Sequence, residues 1–204
     1  MLITRYAKIV MVACLAAFCL LVAFDNITDY GTNYLFVQHV MSMDTTFPGN
    51  ALMYRAITNP MLWNLFYWLI IAGEAAAGIL FLAGAIRLFQ MRHAPGAVFN
   101  AAKGLVVAAA LLAFLLWFLG FMVVAGEWFA MWQSATWNGQ EPAFRFYVTV
   151  LAVLIFVSLP DGDLAAAEPS PASAAAKPKP ARAPRRRRTD KGRRRTDSER
   201  GERS

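Results

Sequence analysis

The sequence predicts an all-α membrane protein with four transmembrane helices, short interfacial helices in two outer loops, and a disordered C-terminal tail. Three observations support this fold class. Of the 204 residues, 58% are hydrophobic and 16% are charged, whereas soluble domains are about 45–50% apolar and about 25% charged. The apolar residues form four long runs, each close to the roughly 20 residues that span a bilayer. Most of the basic charge lies beyond residue 160.

The four apolar runs set the predicted helix boundaries. We predict helices over residues 7–24, 62–88, 101–125 and 144–159, within one transmembrane domain over residues 1–160. The fourth run would cover only about 24 Å at 1.5 Å per residue. Arg145 at its start can extend its side chain to the interface, which offsets part of this short length. Because both cysteines, Cys14 and Cys19, lie in the first run, no disulfide framework is expected in the loops.

The distribution of Lys and Arg predicts the orientation in the membrane. Basic residues occur at the N-terminal end and between the second and third runs: Arg5, Lys8, Arg87, Arg92 and Lys103. The first loop holds three acidic residues and one arginine, and the loop after the third run holds two further acidic residues. Since positive charge marks cytoplasmic loops, we expect a bacterial inner-membrane protein with both termini in the cytoplasm and the two larger loops outside.

The tail over residues 161–204 has a different composition. Residues 160–204 include thirteen basic and seven acidic residues, in an Ala- and Pro-rich segment that ends in arginine clusters. Such a segment buries too little apolar surface to offset the entropy of ordering, so we predict disorder. It is expected to stay solvated or to contact anionic lipid, at about 1 kcal/mol per nearby basic residue. The basic residues of the tail are not interleaved with aromatic residues, so nothing indicates specific nucleic-acid binding.

Both outer loops contain a segment with the spacing of an amphipathic helix. The segments are residues 34–43 and 127–134. Their apolar positions are Leu35, Val40 and Met43 in the first, and Trp128, Met131 and Trp132 in the second. We predict short helices in the outer headgroup region. They either cap the bundle against lipid or help to form a ligand site.

Glu74 is the sharpest single feature, because it lies near the centre of the second apolar run. A carboxyl group at this depth is costly and usually faces the interior of a bundle. The Gly and Ala residues around it allow another helix to approach closely. Glu74 is either a proton or cation relay or a hydrogen-bonding group that locks the bundle. The third run offers only apolar residues at the matching depth, which favours the structural role.

The outer loops also concentrate polar groups that are candidates for an interfacial network: Asp29, His39, Asp44, Arg55, Glu127, Asn138 and Arg145. Asp44 with Arg55, and Glu127 with Arg145, are the natural ion pairs. The network would fix the two loops together or line a shallow binding site. His39 beside Asp44 is a weak candidate metal site, and the two histidines are placed on opposite faces, so neither a metal, a haem nor another cofactor is expected.

The loop motifs resemble a known family. In the first loop they are NITDY (26–30), FVQHV (36–40), MDT (43–45) and RAIT (55–58). In the second they are EWFAMWQS (127–134), WNGQ (137–140) and AFR (143–145). They resemble the predicted small integral membrane proteins of domain of unknown function 2165, over about residues 1–160. The resemblance implies a four-helix membrane protein and no assigned activity, and the basic tail departs from it.

Three hypotheses of function remain open on the sequence. The favoured one is a non-catalytic scaffold or accessory subunit that contacts lipid and another membrane protein through its outer loops. The second is a small proton- or cation-coupled transporter or channel that uses Glu74. The third is an outer-face membrane enzyme or lipid-handling protein using His39, Asp44 and Glu127, which is disfavoured because the sequence has no nucleophile–base motif and no metal-ligand cluster.

Overall fold

The computed structural model describes residues 2–164, and these residues contain helices and no strand. The predicted disordered tail lies outside the described residues from position 165 onward. The α-helices are α1 (Leu2–Thr28), α2 (Tyr30–Ser42), α3 (Pro60–Gln90), α4 (Gly96–Ala101), α5 (Gly104–Phe114) and α6 (Gln140–Ser158). A π-helix, Leu115–Trp128, continues α5, and 3-10 helices cover Met53–Arg55 and Met131–Gln133.

Four of these helical segments are long and apolar enough to cross a membrane: Leu2–Thr28, Pro60–Gln90, Gly96–Trp128 and Gln140–Ser158. The predicted all-α class with four spans is therefore confirmed. Each helix is longer than the apolar run that predicted it, because backbone hydrogen bonding continues into polar sequence. The extension matters most at α1, which ends at Thr28 rather than at residue 24.

Small residues bring α1, α3 and α5 into close contact. A Cβ atom added at Gly78 of α3 would lie 2.7 Å from Cγ of Leu20 and 3.0 Å from its backbone nitrogen. A Cβ added at Gly84 would lie 2.8 Å from Cγ2 of Val106. The core around these contacts includes completely buried Ala77 and Ala109. Van der Waals packing at small residues is the main force that joins helices in lipid.

A second apolar cluster lies at one end of the bundle, where the two larger loops meet. We name this end, with residues 29–59 and 129–139, the loop face. The opposite end, with residues 2–8, 91–95 and 159–164, is the tail face. At the loop face, α2 buries Val37, Val40 and Met41 against Tyr67 and Ile71 of α3. The backbone N–H of Ile57 donates to the carbonyl oxygen of Met41 over 2.8 Å, which ties the loop to α2.

The start of α3 is fixed by local sequence. The Asn59 side chain accepts a hydrogen bond from the backbone N–H of Met61, and Pro60 occupies the first turn. Proline suits this position because its missing N–H would have no partner inside the helix. The indole N–H of Trp63 donates to the carbonyl oxygen of Ile57 over 2.7 Å. This loop therefore enters the membrane helix with a defined geometry.

The third span changes from α-helical to π-helical geometry at Leu115 and keeps it for 14 residues. The last hydrogen bond of the π-helix joins the N–H of Phe129 to the carbonyl oxygen of Val124, five residues earlier. Most π-helices are single turns, often at functional sites. A uniformly apolar run such as Leu115–Val124 has no polar face from which this change can be predicted.

The predicted loop helices differ in outcome. The first segment is helical as α2 up to Ser42, and Val40 and Met43 of its predicted apolar face are buried. Leu35 is 44% exposed, and Val37 and Met41 are buried in its place. The second segment, residues 127–134, is not one amphipathic helix. Ala130 has a φ of 50°, which interrupts the helix, and a single 3-10 turn follows. Trp128 and Trp132 are both about half exposed, so only Met131 of the predicted apolar face is buried.

Candidate functional site

Glu74 is the centre of a buried polar group between α1 and α3. Its side chain is 2% exposed, and its Oε2 atom accepts a hydrogen bond from Nδ2 of Asn26 over 2.7 Å. The hydroxyl group of Tyr67 donates to the backbone oxygen of Asn26 over 2.9 Å and lies 3.3 Å from Oδ1 of Asn26. Asn26 is therefore held at both ends, and it fixes the orientation of the Glu74 carboxyl group.

Sequence reasoning did not find Asn26, the hydrogen-bond partner of Glu74, or Tyr67, the hydrogen-bond partner of Asn26. Asn26 was assigned to the outer loop because the apolar run ends at residue 24, whereas α1 continues for another turn and turns Asn26 inward. Tyr67 is one of several aromatic residues at the start of α3, and nothing in the sequence distinguishes it from the others. One available signal was spacing, since Tyr67 and Glu74 are seven residues apart and thus lie on the same face of a helix.

A pocket of about 310 Å³ ends at Glu74. Exposed Asp25 and Asn33 line it near the loop face, and buried Glu74 forms its floor. Its polar lining is Asp25, Asn26, Asn33, Tyr67 and Glu74, and none of the lining residues is basic. Its aromatic lining is Phe36, Tyr67, Trp117, Phe121 and Phe146.

One oxygen of Glu74 is available to a ligand. Among residues 2–164, hydrogen bonding to this carboxyl group involves only Oε2, and Oε1 has no partner. An acceptor at the floor, a carboxylate at the mouth and aromatic rings in the wall are the groups that bind an ammonium cation, through hydrogen bonds and cation–π contact. The volume is at the lower end of the roughly 300–1,000 Å³ of small-molecule sites. The pocket therefore suits a small organic cation.

The outer-loop candidates form a network, but with other partners than expected. Asp44 does not pair with Arg55; its Oδ2 lies 2.8 Å from Nδ1 of His39. The two residues meet because the helix ends after Ser42 and Met43 turns the chain back with a φ of 54°. The His39 ring also stacks on Trp137, with 4.7 Å between the ring centroids. This packing holds His39 against the second loop.

Arg55 contacts the second loop through backbone rather than carboxylate groups. Its Nη1 lies 3.4 Å and 3.3 Å from the carbonyl oxygens of Glu127 and Trp128. Its guanidinium lies 4.7 Å from the ring centroid of Trp128. The Glu127 side chain is exposed and does not pair with Arg145. Arg145 instead lies 3.8 Å from Glu141, one helical turn earlier in α6.

The remaining loop candidates have local roles. Oδ1 of Asp29 accepts a hydrogen bond from the hydroxyl group of Thr32, and Oδ1 of Asn138 accepts one from the backbone N–H of Gln140 at the start of α6. Two further contacts join the loops: Thr45 with Ser134, and the N–H of Phe47 with the Gln133 side chain. The structure thus brings His39, Asp44, Arg55 and the second loop together, away from Glu74. Within residues 2–164, no three His, Cys, Asp or Glu side chains are grouped so that they could hold a metal ion.

The tail face contains a buried ionic cluster that sequence reasoning missed. Nζ atoms of Lys8 and Lys103 lie 2.6 Å and 2.7 Å from Oδ2 of Asp161, and all three side chains are at most 7% exposed. Both ammonium groups also donate to the carbonyl oxygen of Leu159. Burial opposes ionisation of Asp161, but the hydrogen bonds from Lys103 and Lys8 outweigh it and lower the pKa of this carboxyl group below its ordinary value.

Arg5 extends the same cluster. It donates to the carbonyl oxygens of Arg92 and Ala94 and, over 2.8 Å, to that of Gly162. The predicted boundary of the tail at residue 161 therefore needs correction. Residues 161–163 are held against the bundle, since Oδ1 of Asp163 also accepts a hydrogen bond from the N–H of Gly96. Arg5, Lys8 and Lys103 therefore fix the end of α6, a role that their use as markers of orientation did not predict.

Four apolar spans packed through small residues, with a buried carboxyl group at membrane depth, define an integral membrane protein. Comparison with family models agrees, because the model "Predicted small integral membrane protein (DUF2165)" matches residues 4–160. The chain belongs to this family, as the loop motifs indicated. No curated protein and no solved structure matches the chain.

Proposed function

We propose that the protein is a non-catalytic accessory subunit of a membrane protein complex. We propose that it binds a small organic cation, of the ammonium class, in the pocket that ends at Glu74. The unpaired Oε1 atom of Glu74 is the observation that carries this proposal. This oxygen is an acceptor at the floor of the pocket, and the carboxylate of Asp25 supplies negative charge at its mouth. The aromatic wall replaces part of the hydration that an ammonium group loses on entry.

We further propose that the membrane is a bacterial inner membrane and that the loop face, with its pocket, is outside. The basic residues near the tail face and the acidic residues in the larger loops support this orientation. Fusions of a periplasm-active and a cytoplasm-active reporter to residue 164 test it. Activity of the periplasmic reporter alone would reverse the orientation.

Binding is tested on the purified protein in detergent with tetramethylammonium and methylammonium. A ligand at 100 times its dissociation constant stabilises the folded state by about 2.7 kcal/mol, so the midpoint of thermal unfolding should rise with ligand concentration. Glu74→Gln keeps an acceptor for Asn26 but replaces the free carboxyl oxygen with an amide N–H donor, which repels a cation, and it should abolish this rise. Glu141→Gln is the matched control, because Glu141 is 83% exposed at the same face. Equal stabilisation of wild type and Glu74→Gln would refute the site.

A second candidate is a cation-coupled transporter that uses Glu74, because a carboxyl group at the floor of an open pocket is also a transport site. Against it, the core between Glu74 and the tail face is closed by Ala77, Phe81, Leu88 and Val12, each 0% exposed. Transport would require this half of the bundle to open. Proteoliposomes that take up labelled methylammonium with wild-type protein, but not with Glu74→Gln, would establish transport in place of binding alone.

A further inference from the structure

A second and larger cavity adjoins the cation pocket, and Phe36, Val37, Ile70 and Phe121 line both cavities. It is an apolar groove of about 750 Å³ between α3, the π-helix and α2. On α3 it is lined by Phe66, Leu69, Ile70 and Gly73, whose spacing of i, i+3, i+4 and i+7 places them on one helix face. Several of its large apolar side chains are exposed, among them Leu69 at 56% and Leu119 at 46%. In a membrane protein, these side chains face lipid.

The groove extends through only one half of the membrane. The distance along α3 from Phe66 to Gly73 is about 10 Å at 1.5 Å per residue, and one half of a hydrocarbon core is about 15 Å thick. The α2 residues Val40 and Met41, with Ile57, line its end at the loop face. This depth suits an acyl chain that enters from the loop-face leaflet.

Arg55 lies beside this end of the groove, next to Trp128, which lines it. The Nε atom of Arg55 donates to the Tyr54 hydroxyl over 3.2 Å, and Nη1 contacts two backbone carbonyls. Within residues 2–164, Nη2 has no hydrogen-bond partner and no carboxylate forms an ion pair with Arg55. A half-buried guanidinium with free N–H donors is a binding group for a phosphate oxygen.

We propose that the groove is a specific phospholipid site, in which one acyl chain occupies the apolar cavity and the phosphate group binds Arg55. The charge of the phosphodiester complements the unpaired guanidinium, and the hydrocarbon chain fits the apolar lining. Stacking on Trp128 holds the guanidinium beside the last residue of the third span, where headgroup phosphates are expected. The occupant is a lipid rather than a second copy of the chain, because a protein helix brings no phosphate to Arg55.

The test is a lipid titration of the delipidated full-length protein, read by native mass spectrometry in mild detergent. The probes are palmitoyl-oleoyl phosphatidylglycerol and the diacylglycerol with the same two chains and no phosphate. Wild type should bind one phosphatidylglycerol in preference to diacylglycerol. Arg55→Gln should weaken this binding about tenfold or more, since a hydrogen bond to a charged group is lost, and should leave diacylglycerol binding unchanged.

The matched control is Arg92→Gln. Arg92 also lies over an aromatic ring, 4.0 Å from the centroid of Phe89, and donates to a tyrosine hydroxyl and a backbone carbonyl. It lies at the tail face, away from the groove. An equal loss of phosphatidylglycerol binding in both arginine variants would overturn the proposal, because it would show general charge attraction.

A second variant tests the groove without Arg55. Gly120 lines the groove, and an added Cβ there would meet nothing closer than the carbonyl oxygen of Leu115 at 3.9 Å. Gly120→Leu should therefore place a side chain in the cavity without a clash at its Cβ and reduce binding of both lipids. Unchanged lipid binding in this variant, or a protein dimer that only Gly120→Leu dissociates, would overturn the lipid assignment. Glu74→Gln should bind phosphatidylglycerol like wild type, which separates this site from the cation pocket.

Discussion

Removing the hydroxyl group of Tyr67 tests how the floor of the cation pocket is held in place. Tyr67 is 1% exposed, and its hydroxyl donates to the backbone oxygen of Asn26. Tyr67→Phe keeps the ring and deletes only this donor. A buried acceptor left without its partner costs about 1–3 kcal/mol. Because Asn26 also positions the Glu74 carboxyl group, we expect weaker tetramethylammonium binding as well as lower stability.

The assay is thermal unfolding of the purified protein, with and without tetramethylammonium. For a chain of this size, a loss of 1–3 kcal/mol lowers the midpoint by about 2–12 °C. Tyr147→Phe is the matched control, since Tyr147 packs through its ring against Phe114, Phe118 and Phe144 and its hydroxyl has no hydrogen-bond partner within residues 2–164. If Tyr67→Phe is as stable as Tyr147→Phe, the hydrogen bond to Asn26 does not hold the pocket floor.

Two further predictions concern the tail-face half of the bundle. Gly78→Ala should lower stability by about 1–3 kcal/mol through overpacking relative to Gly104→Ala, because an added Cβ at Gly104 meets nothing within 4 Å; equal unfolding midpoints would contradict the close helix contact. Asp161→Asn should cost about 3–5 kcal/mol at pH 7, because it leaves Lys8 and Lys103 buried without their anion. Since the folded-state pKa of Asp161 is lowered, this contribution is present above about pH 4 and is lost as the pH falls through the folded value; a difference in unfolding free energy that does not shrink at all as the pH is lowered would contradict the ion pair.

Much of the fold could be predicted because hydropathy is a local property. Each span is a continuous apolar run, and a run long enough to cross the bilayer must form a helix to satisfy its backbone. Helix ends are less visible, because the hydropathy falls where polar sequence begins although the helix continues. The predicted end of the first helix is one turn too early, so the prediction places Asn26 in the loop rather than in the bundle. The hydrogen bond from Asn26 to Glu74 could therefore not be predicted.

The parts of the site that sequence reasoning missed depend on contacts between distant residues. Asp161 lies at the start of a charged tail, and its composition gives no sign that it pairs with Lys8 and Lys103, 153 and 58 positions away. Arg55 was matched to a nearby carboxylate, whereas its main contacts are a ring and two carbonyl groups of the second loop. Backbone acceptors occur at every residue, so sequence cannot indicate which of them a side chain reaches.

The two halves of the bundle have different packing, and this difference explains where both proposed sites lie. Toward the tail face, Ala77, Gly78 and Ala109 allow close helix contact, and the buried ionic cluster fixes the chain end. Toward the loop face, the third span becomes a π-helix, and its residues Trp117 and Phe121 line the cation pocket. Phe121 also lines the lipid groove. Phe36, Val37 and Ile70 line both cavities too, so the two proposed sites adjoin each other within the less closely packed half of the bundle.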